Sequence, residues 1–153
     1  MFYGEYVHSL DPKARVAIPK RFQEELGRDA GNNLVCVLTR GQDRCLYLFA
    51  EDGFKQALAG LAIAAFAGQD QRAAQRLFFA NTAKVELDAN GRVLIPEKLR
   101  AHVGFEKEVV LIGVNDHAEI WPKDAWESYH AQHEPILDQV DQVLSRRGVG
   151  PAT

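Results

Sequence analysis

The chain states one unit twice. Leu10-Asp11-Pro12-Lys13-Ala14-Arg15-Val16-Ala17-Ile18-Pro19 returns 77 residues later as Leu87-Asp88-Ala89-Asn90-Gly91-Arg92-Val93-Leu94-Ile95-Pro96, and the ungapped match covers residues 5–27 and 82–104. At an offset of 72, Phe49 answers Trp121 and Phe54 answers Trp126, so the duplication spans 5–56 and 82–128 with a five-residue contraction in the second copy. A chain of this kind must adopt a fold that seats two equivalent units, which excludes most single-copy architectures.

Each copy reads as strand, polar loop, strand, helix. Residues 6–10 and 84–87 lead into Asp11–Arg15 and Asp88–Arg92, after which Val16-Ala17-Ile18 and Val93-Leu94-Ile95 are extended. The pattern predicts a hairpin with a polar tip in each copy. Asp11 and Asp88 are the loop-shaping residues, because a carboxylate at the first loop position can accept backbone N–H groups further round the turn, and Gly91 suits a positive φ. Pro19 and Pro96 are expected at the first helical position, and Gly27 and Gly104 as left-handed helix stops. Phe22 with Leu26 and Leu99 with Val103 share helix faces four residues apart. A turn needs the aspartate but not a guanidinium, so the recurrence of Arg15 and Arg92 at one position marks them as candidate functional residues.

Charge is distributed in a way that the net value of −3 hides. Residues 105–153 carry a net −5, whereas Asp11–Arg21 holds Lys13, Arg15, Lys20 and Arg21 against Asp11 alone. A basic loop tip on an acidic protein can still meet a polyanion. At 153 residues, 46% hydrophobic and 25% charged, the chain has the makings of a soluble globular core without staples. Cys36 and Cys45 lie among Val and Leu and read as buried thiols of a reducing cytosol, the start is not signal-like, and the apolar run 58–67 is too short to cross a bilayer.

The organisation expected is a first β-rich domain over 1–53, a helical connector over 54–80, a second domain over 81–128, and a C-terminal helix with a loose tail over 129–153. Strands are expected at 34–38 and 46–49, and again at 109–113 and 118–121. The connector reads as two helices, 51–65 and 70–80, broken at Gly68, with Leu58, Leu61, Leu77 and Phe78 as core. Arg72 and Arg76 share a solvated or intersubunit face. A helix carrying Trp126 follows at 123–129. Ile136, Leu137, Val140 and Leu144 fall at helical spacing after Pro135, and residues 148–153 are expected to be loose.

No catalytic or metal-binding constellation emerges. His130 and His133 lack converging further ligands, with His8, His102 and His117 isolated in sequence. Gly31-Asn32-Asn33 is not followed by the Lys-Ser/Thr of a phosphate loop, and Cys36 and Cys45 lack CxxC spacing. No serine or cysteine has nucleophile surroundings. The sequence therefore implies no enzyme, cofactor, metal or small-molecule substrate.

With both loops, both Ile-Pro pairs, the start Met1-Phe2-Tyr3-Gly4-Glu5, the strand 45–49 and the stretches 108–113 and 119–121, the chain resembles the MraZ family, whose members carry two SpoVT-AbrB-type domains in tandem. The resemblance implies an α+β fold: an internally duplicated β-rich unit forming a pseudo-two-fold interleaved β-barrel of the AbrB-like swapped-hairpin type, with intervening and C-terminal helices. It implies a sequence-specific, double-stranded-DNA-binding transcriptional regulator of the division and cell-wall gene cluster, cytoplasmic and nucleoid-associated. The regulator would act as a ring-shaped homo-oligomer on repeated operator motifs. Carried over by position, the DNA-binding residues are Lys13, Arg15, Asn90 and Arg92, with supporting phosphate contacts from Lys20, Arg21 and Arg100. Where the family favours glycine in the first loop this chain has Ala14, and an αL side chain there costs about 1 kcal/mol, so the first loop is expected to differ in shape from the second. Gln23 and Glu24 stand where basic helix residues are common, while the second copy keeps Arg100. The competing expectation is a structural or protein-binding oligomer of the same fold that binds no DNA.

Overall fold

The structure, a computed structural model, describes residues 1–145. It comprises two compact units, Met1–Lys123 and a second beginning at Asp124. The first unit holds eight strands, β1 (Glu5–Ser9), β2 (Arg15–Ala17), β3 (Val35–Arg40), β4 (Leu46–Phe49), β5 (Ala83–Glu86), β6 (Arg92–Leu94), β7 (Glu108–Val114) and β8 (His117–Pro122), with helices α1 (Lys20–Gln23), α2 (Glu51–Leu58), α3 (Gln69–Ala80) and α4 (Glu97–Val103). The second unit is helical: most of α5 (Lys123–His133), a 3-10 turn (Glu134–Gln139) and α6 (Val140–Leu144).

The two copies pair with each other more than with themselves. One six-stranded antiparallel sheet runs β1-β7-β8-β4-β3-β5, and β2 pairs with β6 in a separate two-stranded ribbon. Exchanging the copies and reversing the order leaves this pattern unchanged, which is an internal two-fold relation. The central joint sets Leu46 opposite Ile120 and Leu48 opposite Ala118, while the ribbon sets Val16 opposite Val93. The expected strand-paired hairpin is therefore not formed: β1 turns into β2, but the two strands share no ladder and are joined by the isolated bridge of Leu10 with Val16 and by His8 Nδ1 against the Ala17 carbonyl at 2.6 Å. β1 instead pairs with β7 through Glu5 opposite Ile112, and β5 with β3 through Val35 opposite Glu86. The shared core accommodates this. Each arm has one apolar face, and the partner that extends that face over the common core lies in the other copy.

That core is shared. Val16, Ile18, Phe22, Cys36, Leu38, Leu48 and their counterparts Val93, Ile95, Leu99, Val109, Leu111 and Ile120 form one buried cluster. Burying each Leu or Ile side chain contributes about 1.5–3 kcal/mol. Phe22 takes Phe2 and Tyr6 edge-on at 5.5 and 5.3 Å. On the other face of β3 and β4, Val37 and Phe49 meet Phe54 of α2 and Phe78 of α3. Gly113 lets the N-terminal segment cross close to β7: a Cβ there would collide with the backbone of Phe2 and Tyr3.

Several local expectations need correction. Pro19 and Pro96 occupy the residue before each helix, with ψ of 139° and 143°, rather than the first helical position. Gly104 ends α4 in the left-handed conformation at φ +73°, but Gly27 has no positive φ, because α1 finishes at Gln23 and its cap Glu24 is right-handed. Strand pairing then draws that stretch away, the Gly27 carbonyl accepting the Val35 N–H at 3.0 Å. The first connector helix stops at Leu58 instead of Ala65, with Ala59 as its cap and the helix-disfavouring Gly60 next, and α3 starts at Gln69, its Gly68 N–H held by Gln71. Leu58 and Phe78 pack as expected, but Leu61 and Leu77 are 56% and 68% exposed. Residues 148–153, expected to be loose, lie outside the described residues.

Candidate nucleic-acid interface

The two loops are built alike. In the first, Asp11 N–H donates to the Arg15 carbonyl at 2.9 Å and Ala14 N–H to the Asp11 carbonyl at 2.9 Å. Asp11 Oδ1 accepts the N–H groups of Lys13 and Arg15 at 2.9 and 2.8 Å, and Oδ2 accepts Arg15 Nε at 2.8 Å. In the second, Asp88 Oδ1 accepts Asn90 and Arg92 N–H at 2.9 and 3.0 Å, and Oδ2 accepts Arg92 Nε at 3.0 Å. Ala14 and Gly91 both have positive φ, +62° and +74°. The first loop thus keeps the shape of the second despite its side chain, and the expected difference is absent.

The ribbon fixes where the arginines lie. Val16 and Val93 point into the core and are fully buried. By strand alternation Arg15 and Arg92 share the opposite face with Ala17 and Leu94. Arg15 pairs with Leu94 and Arg92 with Ala17, which makes the two arginines diagonal neighbours about 7–8 Å apart. Arg92 Nη1 lies 3.6 Å from Asp11 Oδ2, the oxygen that holds Arg15, so four charges run in one row across both copies. The side chains of Arg15 and Arg92 are 32% and 29% exposed. Among the described residues the Nη groups of Arg15 donate no hydrogen bond.

Both carboxyls are held below the usual carboxylate range. At Asp11 the Arg15 backbone N–H does most, partial desolvation opposes it, and the Arg15 side chain and Lys13 N–H add to it. At Asp88 the Arg92 backbone N–H leads in the same way. Each aspartate is therefore ionised wherever the protein is folded near neutral pH. It holds its arginine by Nε; the Arg15 terminal nitrogens make no hydrogen bond among the described residues, whereas Arg92 Nη1 faces Asp11.

The loops are also tied across the copies. Ile18 N–H donates to the Gly91 carbonyl at 2.9 Å, and Ile95 N–H to the Ala14 carbonyl at 3.0 Å. Gln23 Nε2 reaches back to the Ile18 carbonyl at 2.8 Å, and its counterpart Arg100 donates from Nε to the Ile95 carbonyl at 3.0 Å. The two helices differ in charge at this position but make one contact. Lys13, Lys20 and Asn90 are exposed. Arg21 lies over the Tyr3 ring, 4.6 Å from its centroid, and donates to the Tyr3 hydroxyl. Sequence reasoning passed over Leu94, which is 55% exposed beside both arginines, although strict alternation from Val93 would have placed it outside.

Among the described residues no group of His, Cys, Asp and Glu could hold a metal, and no helix is long and apolar enough to cross a membrane. A duplicated α+β protein that displays two aspartate-braced arginines on one two-copy ribbon is the class that fold and loops define. The chain belongs to the MraZ family: the family's sequence model, described as "MraZ protein, putative antitoxin-like", matches residues 1–77 and again 78–147. A protein of Acetivibrio thermocellus is 40% identical over 149 residues, covering 97% of this chain and 100% of its own. One from Carboxydothermus hydrogenoformans is 41% identical over 148 residues, covering 94% and 99%. Both relatives are named "Transcriptional regulator MraZ".

Proposed function

We propose that this chain is a transcriptional regulator that binds duplex DNA through the β2–β6 ribbon, with Arg15 and Arg92 reading bases. The common face of these two arginines carries the assignment. A two-stranded ribbon fits the major groove, and an arginine such as Arg15, whose terminal nitrogens make no hydrogen bond among the described residues, can donate twice to guanine O6 and N7, worth about 1–3 kcal/mol of discrimination, while Arg92 does the same on exchanging its Nη1 contact with Asp11 for the base. A diagonal of about 7–8 Å spans roughly two base-pair steps of about 3.4 Å. Leu94, between them, offers an apolar contact to a thymine methyl group. Lys13 and Asn90 at the tips, and Lys20, Arg21 and Arg100 behind, supply phosphate contacts that set register. Asp11 and Asp88 offset much of the local positive charge, so one subunit binds weakly and several joined subunits gain by avidity on repeated short motifs. The operators would be those of the division and cell-wall cluster. The interleaved strands would close as an AbrB-like barrel, and the subunits as a ring.

Arg15→Ala and Arg92→Ala proteins, checked for folding, are each expected to lose about tenfold or more in duplex affinity. Undiminished binding by both would overturn the assignment. A second reading, an oligomer without DNA binding, is favoured by the exposed apolar groove of about 280 Å³ lined by Leu61, Ile63, Phe78 and Phe79. Salt separates the two, since phosphate contacts weaken steeply as ionic strength rises and an apolar interface does not.

A further inference from the structure

The two Asp-x-x-x-Arg loops share a backbone signature, and the chain contains it a third time at Asp29-Ala30-Gly31-Asn32-Asn33. Asp29 N–H donates to the Asn33 carbonyl at 2.9 Å and Asn32 N–H to the Asp29 carbonyl at 3.0 Å. Asp29 Oδ1 accepts Gly31 and Asn33 N–H at 2.9 and 3.0 Å, and Asn32, fourth in the turn, has φ +66°. Even the flanking bridge recurs, Arg28 with Leu34 repeating Leu10 with Val16. The fifth position, arginine in the first two turns, is Asn33 here.

This turn occupies the stretch in which the copies differ in length. The first copy runs from Gly27 to Cys36, where the second needs only Gly104 to Val109. With Gln23 and the second loop's Asp88, Ala89 and Gly91, the turn encloses a polar cleft of about 380 Å³. Arg28 is exposed and donates from Nη1 to the Asn32 carbonyl at 2.9 Å. Asn32 and Asn33 are exposed, and among the described residues their side-chain amides make no hydrogen bond. Beside the first loop the corresponding place is taken by the short link at Lys107, whose carbonyl accepts the Leu10 N–H at 2.7 Å.

We infer that the Asp29–Asn33 turn is a third contact to duplex DNA, engaging the base pairs that flank those read by the second loop. The inference rests on the DNA-binding function proposed above. An asparagine amide at the arginine position pairs with adenine N6 and N7 as arginine pairs with guanine, and Arg28 beside it meets the adjoining phosphate. Asp29 is taken up by its own turn and by a side-chain hydrogen bond with Glu86, and the cleft beside the turn presents the amides of Gln23, Asn32 and Asn33, which suits base-edge hydrogen bonding. Because one copy alone carries this turn, the binding surface is not two-fold symmetric. Each motif is therefore read in a single direction, with adenine preferred on the side of the second loop.

The test is selection of duplexes from a randomised pool by full-length wild-type, Asn33→Ala, Asn33→Arg and Arg92→Ala proteins of verified fold and assembly. The wild type is expected to enrich an asymmetric motif with adenine at one flank. Asn33→Ala should bind that duplex about tenfold more weakly and lose the flank preference while keeping the central bases. Asn33→Arg, which converts the turn into a third Asp-x-x-x-Arg, should change the flank from adenine to guanine. A purely structural turn would change affinity or stability without moving the flanking base, and an unaltered flank in both Asn33 variants overturns the inference alone. Failure of the wild type to enrich any duplex, or enrichment indifferent to Arg92→Ala, overturns the DNA-binding function as well.

Discussion

Gly91→Ala tests how tightly the two copies are interlocked at the loops. Gly91 has φ +74°, and a Cβ there would collide with the Gln23 amide, which caps the Ile18 carbonyl at 2.8 Å. The left-handed conformation costs an alanine about 1–2 kcal/mol, of which the reduced freedom of the unfolded chain returns about 0.4–1. Displacing Gln23 removes one hydrogen bond to a partly buried carbonyl, about 1 kcal/mol. The sum is a destabilisation of about 2 kcal/mol, a fall in Tm of roughly 4–8 °C for a protein of this size. In a Gln23→Ala background the collision and the lost bond are already gone, so the same substitution should cost about 1 kcal/mol or less. The difference between backgrounds is a coupling energy, measured by reversible denaturant unfolding at fixed protein concentration. Equal costs in both backgrounds would refute the assigned contact. The tolerance of Ala14 at the equivalent position gives the comparison its point, since there the side chain is already present and buried.

His117 supplies a pH dependence. Burial pushes its imidazole pKa down, but hydrogen bonds and charge from Glu119 and Asp116, at 3.0 and 2.7 Å, more than compensate and the net shift is upward. Its contribution to stability is fully present below the unfolded value of about 6.5 and is lost as pH rises through the higher folded value. The gap in urea midpoint between wild type and His117→Gln should therefore shrink from about pH 6 to about pH 9, and a gap that widens refutes the assignment. Burial pushes the Cys36 thiol up to about 12, and burial with Glu119 and Asp43 raises Cys45, so both should resist alkylation until the chain unfolds, as mass spectrometry can follow. Leu111→Ala, in the shared core, should cost about 2–5 kcal/mol by calorimetry; a loss below about 1 would mean that the core collapses around the gap.

The duplication, the loops and most of the core were legible because the repeat doubles every local signal. Val16, Ile18, Phe22 and Leu26 point inward in one copy for the same reason as Val93, Ile95, Leu99 and Val103 in the other. Which strand pairs with which was not legible. An arm with one apolar face is satisfied equally by a neighbour in its own copy or by the matching arm of the other, and alternation does not distinguish β1 beside β2 from β1 beside β7. Gly27 misled because an identical letter at an aligned position ends one helix and not the other, α1 having already stopped at Gln23. The third Asp turn was present in the text as an aspartate with asparagines three and four residues on, a pattern that favours an aspartate-capped bend with a left-handed fourth residue. Without an arginine at its fifth position the turn does not stand out from an ordinary aspartate-capped bend.

The pairing of Glu5–Ser9 with Glu108–Ile112 has a consequence for how the protein comes into being. A nascent chain emerging from a ribosome has no partner for its first strand until most of the message has been translated, and contacts so far apart in sequence form slowly. The leading half must wait as an unfinished, strand-exposing polymer. Folding is thereby tied to completion of synthesis, and a prematurely terminated product becomes a target for chaperones and proteases instead of a half-sized binder.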